Sequence, residues 1–145
     1  MNTLYDRTEI NSLLLSKEVI DVLNKYNITT LCVFGSLITD DFTEISDVDL
    51  AVVGDIKFNL NSILELELFF EKILKRDIDI IDLKDDNLDL LIKVNILNTC
   101  NQIYTTDNNR NFNVVYNLTD KIYNENENFM YFRKVDLLSW IKNVY

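Results

Sequence analysis

Apolar positions recur along this chain with two different periods, and the change from one to the other lays out a succession of helices and strands. Ile10, Leu13, Leu14, Ile20 and Leu23 fall at helical spacing over residues 8–26, with Ser16 as an internal cap that divides the segment and Asn27 as a left-handed stop. Residues 28–34, Ile-Thr-Thr-Leu-Cys-Val-Phe, predict a buried strand. A short helix or turn over 37–41 and a polar connection over 43–46 follow. Val48, Leu50 and Val52 then face opposite to Asp47, Asp49 and Ala51 in a second strand. Past Gly54, either Asn59 or Asn61 caps a helix that runs to about Lys75 and buries Ile63, Leu66, Phe70, Ile73 and Leu74. Residues 77–83, Asp-Ile-Asp-Ile-Ile-Asp-Leu, predict a third strand. Asp85, Asp86 and Asn87 place acceptors and negative charge at the start of the next helix, which extends to about Thr99 and buries Leu88, Leu91, Ile92 and Ile96. An edge strand from Gln102 to Thr105 and an Asn- and aromatic-rich tail, read as two helices broken near 124–128, complete the chain.

Composition narrows the functional classes. With 48% hydrophobic residues in 145, the chain can bury a core of its own. Its formal charge of −10 and pI near 4.3 argue against non-specific binding to nucleic acid or to an anionic membrane. A polyanion must then be held locally, through metal, whereas a basic protein is steered toward such a surface. Cys32 and Cys100 match neither a zinc spacing nor a disulfide framework. The polar start is no signal peptide and no apolar run approaches the ~20 residues of a membrane helix, so a cytoplasmic location is expected. The absence of histidine excludes His-based nucleophile activation and His metal ligands.

The candidate chemistry lies between Leu31 and Val53. Gly35 has no Cβ, so backbone can approach a ligand closely there, and Ser36 opens a short helix whose free N–H groups favour an anion. Residues i and i+2 of a strand share a face about 7 Å apart, so Asp47 and Asp49 can converge on the same cations. Two carboxylates that close repel one another, and a divalent ion relieves the repulsion while binding nucleotide phosphates.

Phe34-Gly35-Ser36, ten residues, Asp47-Val48-Asp49 resembles the signature of the DNA polymerase β-like nucleotidyltransferases. Among these the chain is similar to the minimal nucleotidyltransferases that serve as antitoxins to HEPN-domain toxins. The resemblance covers roughly residues 10–107. It implies an α+β fold, a small mixed β-sheet with helices packed on one side, in one domain over 1–145 with a C-terminal helical extension over about 108–145. It implies Mg²⁺, as two ions, held by Asp47, Asp49 and a third carboxylate, with ATP as substrate at Gly35 and Ser36. The family pattern apolar-Asp-apolar-apolar-Asp-Leu puts the third carboxylate, which is also the general base, at Asp79, and Asp77 and Asp82 are read as solvated. Members commonly carry a basic residue and then glycine where Thr39 and Asp40 stand, and a small residue where Cys100-Asn101 stands. Lys57, Lys72, Lys75 or Arg76 could supply the missing cation.

Three functions follow from the resemblance. The first is an adenylyltransferase that modifies a tyrosine hydroxyl of a cognate HEPN ribonuclease toxin and assembles with it as a hetero-oligomer. The second is a non-catalytic antitoxin that covers the toxin, using Phe112, Tyr116, Tyr123, Phe129, Tyr131, Phe132 and Trp140. The third is nucleotide transfer to a small molecule. The chain is not itself the toxin, whose Arg-x4–6-His motif needs a histidine.

Overall fold

The computed structural model describes residues 5–125. Two short helices open it, α1 (Arg7–Leu14) and α2 (Lys17–Lys25). Ser16 separates them: its hydroxyl accepts from the Val19 N–H and caps α2, as its position in the apolar pattern predicts. Asn27 takes the left-handed conformation, φ 57°, and turns the chain into β1 (Ile28–Phe34). A four-residue 3₁₀ turn, Gly35–Ile38, precedes β2 (Val48–Gly54). Asn59, not Asn61, caps α3 (Leu60–Leu74), its side chain accepting from Ser62 N–H at 2.8 Å. Next come β3 (Ile78–Asp82), α4 (Leu90–Thr99) and β4 (Asn101–Thr105). Residues 110–125 form a further helix, α5.

The four strands make one mixed sheet in the order β3-β2-β1-β4. β1 runs antiparallel to β2 and β4, and β2 runs parallel to β3. A parallel pair needs a crossover, and α3 supplies it. One face of the sheet carries Leu31, Val33, Leu50, Val52 and Ile80, packed with Ile10, Leu23, Leu66 and Phe70 from α1–α3. The opposite face carries Cys32, Ala51 and Val53, and α4 and α5 cover it with Ile96, Leu97, Phe112 and Val115. Helices therefore lie on both faces, not on one as expected. The strand pattern explains this, because Cys32, Ala51 and Val53 are too apolar to face water at positions that alternate with the first core.

Three further expectations are corrected. The fourth helix starts later, at an Asp89 cap that accepts from Leu91 and Ile92 N–H, while Asp85 closes a turn by accepting from Asn87 N–H. Leu91 and Ile92 are 56% and 50% exposed, and Ile96 and Leu97 are the buried pair of that helix. Asp82 is not solvated: it is 6% exposed and accepts from Phe58 N–H at 2.8 Å and Lys84 N–H at 2.9 Å. Burial pushes its carboxyl up, against the opposing effect of those two N–H groups. Phe112 belongs to the core and Tyr116 packs against it, its hydroxyl donating to Asn98. Phe129, Tyr131, Phe132, Trp140 and the break near 124–128 lie largely outside the described residues, helix α5 being continuous to 125. Among the described residues no helix is long and apolar enough to cross a membrane.

Asp82 is thus a fastener between β3 and the loop before α3. Asp82→Ala leaves two N–H groups unpaired and is expected to cost about 1–3 kcal/mol in urea unfolding. Asp77→Ala, on the exposed side of the same strand start, is expected to stay within about 0.5 kcal/mol of the native chain.

Candidate active site

The site forms where β1 ends and β2 and β3 begin. Antiparallel pairing sets Phe34 opposite Asp49, so the next residue, Gly35, turns away from the sheet directly beside the Asp49 carboxylate. Gly35 has φ +71°, and a Cβ built on it would lie 2.2 Å from Asp49 Oδ2. Both the conformation and the contact favour glycine here. Ser36 follows half-buried, its carbonyl accepting from the Thr39 N–H at 3.0 Å and from the Thr39 hydroxyl at 3.1 Å.

Parallel pairing sets Asp79 level with Asp49 across β2 and β3. Asp79 is exposed, Asp49 half-buried, and Asp47 exposed in the residue before β2. Burial pushes the Asp49 carboxyl up, and the charges of Asp79 and then Asp47 add to it. Asp79 and Asp47 therefore both act on Asp49 through space. Asp77 is exposed at the start of the same strand.

Glu67 of α3 escaped the sequence reading. It accepts from the Ile80 N–H at 3.4 Å on the free edge of β3, and burial raises its carboxyl, with Asp79 and Glu71 contributing against that hydrogen bond. Its place on a helix otherwise read for apolar packing gave no signal of a partner on β3. The expected cations are placed differently from one another. Arg76 is 8% exposed and donates to backbone carbonyls, and so is not free for phosphates. Lys75, the left-handed cap of α3, extends over the Tyr5 ring. Lys57 and Lys72 are exposed. Asn101 opens β4 opposite Val33, beside Cys100, where the small residue was expected.

The donor set at the site is oxygen only, which suits a hard cation such as Mg²⁺. Among the described residues no three His, Cys, Asp or Glu side chains already converge as a cage for one ion. Mg²⁺ does not demand one, since it usually takes one or two carboxylates and completes its shell with water and substrate phosphates. Asp49 and Asp79, level with one another across β2 and β3, offer two carboxylates of that kind.

Fold and site together define a small α+β protein with two carboxylates in register beside a Gly-Ser turn. Residues 17–109 match the polymerase beta nucleotidyltransferase family, and the chain belongs to that family. A search of curated proteins returns no match. Among solved structures, the chain is similar to one in a toxin-antitoxin complex with AMP-PNP, at 18% identity and a TM-score of 0.68, covering 83% of this chain and 96% of that one. It is similar to a chain in the complex of a tri-AMPylated Shewanella oneidensis HEPN toxin with MNT antitoxin, at 16% identity and a TM-score of 0.66, covering 92% and 99%. A chain of a MntA-HepT toxin-antitoxin structure matches at 17% identity and a TM-score of 0.62, covering 83% and 94%. At these identities the likeness is one of fold.

Two variants probe the geometry. Gly35→Ala is expected to cost about 1–2 kcal/mol for the left-handed backbone alone, and more because the methyl meets Asp49; in an Asp49→Ala background the excess should disappear, as a double-mutant cycle by urea unfolding will report. Asp49→Asn is expected to raise the melting temperature at pH 7. The raised carboxyl means that the folded chain holds the Asp49 proton more tightly than the unfolded one, so native stability falls as pH climbs from the ordinary carboxylate range through the folded value. The advantage of the variant should therefore vanish when melting is repeated below that range.

Proposed function

We propose that this chain is an antitoxin that transfers AMP from ATP to a tyrosine hydroxyl of a cognate HEPN ribonuclease toxin. The observation that carries the reading is the meeting of Gly35, Asp49 and Asp79 at one end of a sheet: a close backbone turn beside two carboxylates in register. Membership of the nucleotidyltransferase family supports the reaction class. The neighbours with AMP-PNP and with an AMPylated HEPN toxin support nucleotide and partner.

In this reading Gly35 and Ser36 hold the phosphates against the end of β1. Asp47, Asp49 and Asp79 hold Mg²⁺, which when bound neutralises charge on the phosphates and on the entering and leaving oxygens. Asp79, exposed on β3, accepts the proton of the tyrosine hydroxyl. The tyrosine oxygen bonds to the α-phosphorus, the bond to the bridging oxygen breaks, and pyrophosphate leaves.

One observation favours neutralisation by binding alone. Thr39, Asp40 and Asp41 follow the Gly-Ser turn with no basic residue among them, and Arg76, buried, turns Nη1 and Nη2 to backbone carbonyls. The two readings separate in one experiment. Incubating the chain with ATP, Mg²⁺ and the HEPN protein is expected to add one or more AMP masses to that protein, and Asp47→Asn/Asp49→Asn to abolish the addition. A double variant that still protects cells as well as the native chain assigns neutralisation to binding. Thr39→Lys is expected to tighten ATP binding by calorimetry if that position faces the phosphates.

A further inference from the structure

Arg76 lies between the end of α3 and the start of β3, and its side chain reaches back to the turn that delivers Asp47. Its Nη1 donates to the carbonyls of Thr43 at 2.9 Å and Ser46 at 2.8 Å, and its Nη2 donates to the carbonyl of Tyr5 at 2.9 Å. The guanidinium carbon stands 4.4 Å from the centre of the Phe42 ring. The turn it grips is closed on itself, Ser46 N–H donating to Thr43 O and Thr43 N–H to Ser46 Oγ. Asp47 is the next residue, outside β2, and the first ladder bond beyond it joins Val48 N–H to the carbonyl of Asp77, the neighbour of Arg76. One residue pair, Arg76-Asp77, therefore fixes the backbone on both sides of Asp47.

Arg7 reinforces the same segment from α1, donating to the carbonyl of Thr39 with its guanidinium 5.8 Å from the Phe42 ring centre. The segment between the Gly-Ser turn and Asp47 is thus held at both ends by arginine. Among the described residues the ion-pair contacts include none to Arg76; its charge faces carbonyls and an aromatic ring. A buried cation on neutral partners is costly to install, so simple packing does not account for it. Arg76 and Asp47 also line one cleft of about 410 Å³, together with Glu44 and Asp77.

We propose that Arg76 is a positioning residue for Asp47: its fork across Thr43 and Ser46 fixes where the Asp47 carboxylate stands relative to Asp49 and Asp79. The inference rests on the reading of those carboxylates as the metal-holding set. The fork matters, because one nitrogen bridges two carbonyls while the other reaches a third and the guanidinium carbon stands over a ring. Lysine keeps the charge and cannot reproduce that arrangement.

The test uses the full chain with Mn²⁺ as the probe, titrated by electron paramagnetic resonance in the presence of ATP, alongside thermal melting. Arg76→Lys is expected to weaken Mn²⁺ binding by about 10-fold or more, with the ATP KM near native and kcat lowered in any measured AMP transfer. A lower melting temperature with unchanged Mn²⁺ affinity overturns the proposal and leaves Arg76 a structural fastener. If Arg76→Lys does not fold, Phe42→Leu removes the ring beneath the guanidinium and is expected to weaken Mn²⁺ binding several-fold; unchanged affinity there overturns the proposal equally. Native chain that binds Mn²⁺ with ATP but transfers AMP to no protein defeats the transfer reading alone, and the affinity shift still decides the role of Arg76. Native chain that binds no Mn²⁺ overturns both.

Discussion

The contact between Gly35 and the Asp49 carboxylate is the constraint around which the site is built. Any side chain at this position would meet both a left-handed backbone, φ +71°, and the Asp49 carboxylate oxygen. The contact arises because β1 and β2 pair with Phe34 opposite Asp49, so two motif halves ten residues apart in sequence become neighbours through a ladder. The parallel pairing of β2 with β3 adds Asp79 at the same level. Asp49 and Asp79 are thus placed by backbone hydrogen bonds of the ladder, whereas Asp47 stands just outside β2.

Such placement carries an electrostatic cost. Asp49 is half-buried with two like charges near it, in a chain of formal charge −10. Among the described residues no hydrogen bond to the Asp49 carboxylate offsets this, whereas Asp82, the buried carboxylate of β3 on the opposite face, receives two backbone N–H groups. The contrast separates a carboxylate kept for structure from one left strained by its neighbours. A partly buried acid raised by burial and by like charges beside it is the kind of group that functional sites ordinarily hold. The arginines nearby do not neutralise the cluster directly. They grip the backbone of residues 39–46, which carries three of the acidic side chains closest in sequence to Asp47.

Much of the architecture was legible because it depends on local pattern. Ser16 and Asn27 punctuate the first helices as their side-chain chemistry dictates, and the alternation in 47–53 assigns Val48, Leu50 and Val52 to one core. The signal of the second core is also in the sequence: Ala51 and Val53 alternate with the first core and are as apolar as Cys32 on the neighbouring strand. The errors came where a residue's partner is distant. Leu91 and Ile92 sit in an apolar helix that is far less covered than its composition suggests, and Asp82 looked like one more surface acid in an acidic strand.

The sequence by itself determined the strand and helix succession, the family-like Gly-Ser and Asp-x-Asp spacing, and the glycine at the turn, because periodicity and backbone conformation are written in neighbouring residues. Only the tertiary structure decided that helices cover both faces of the sheet, that Asp79 stands level with Asp49, that Glu67 meets the edge of β3, and that Arg76 grips the turn before Asp47. These depend on strand register and on contacts between residues tens of positions apart. A hydrogen bond from a guanidinium to a backbone carbonyl can be made to any residue type, so it leaves no mark on the sequence of its acceptor.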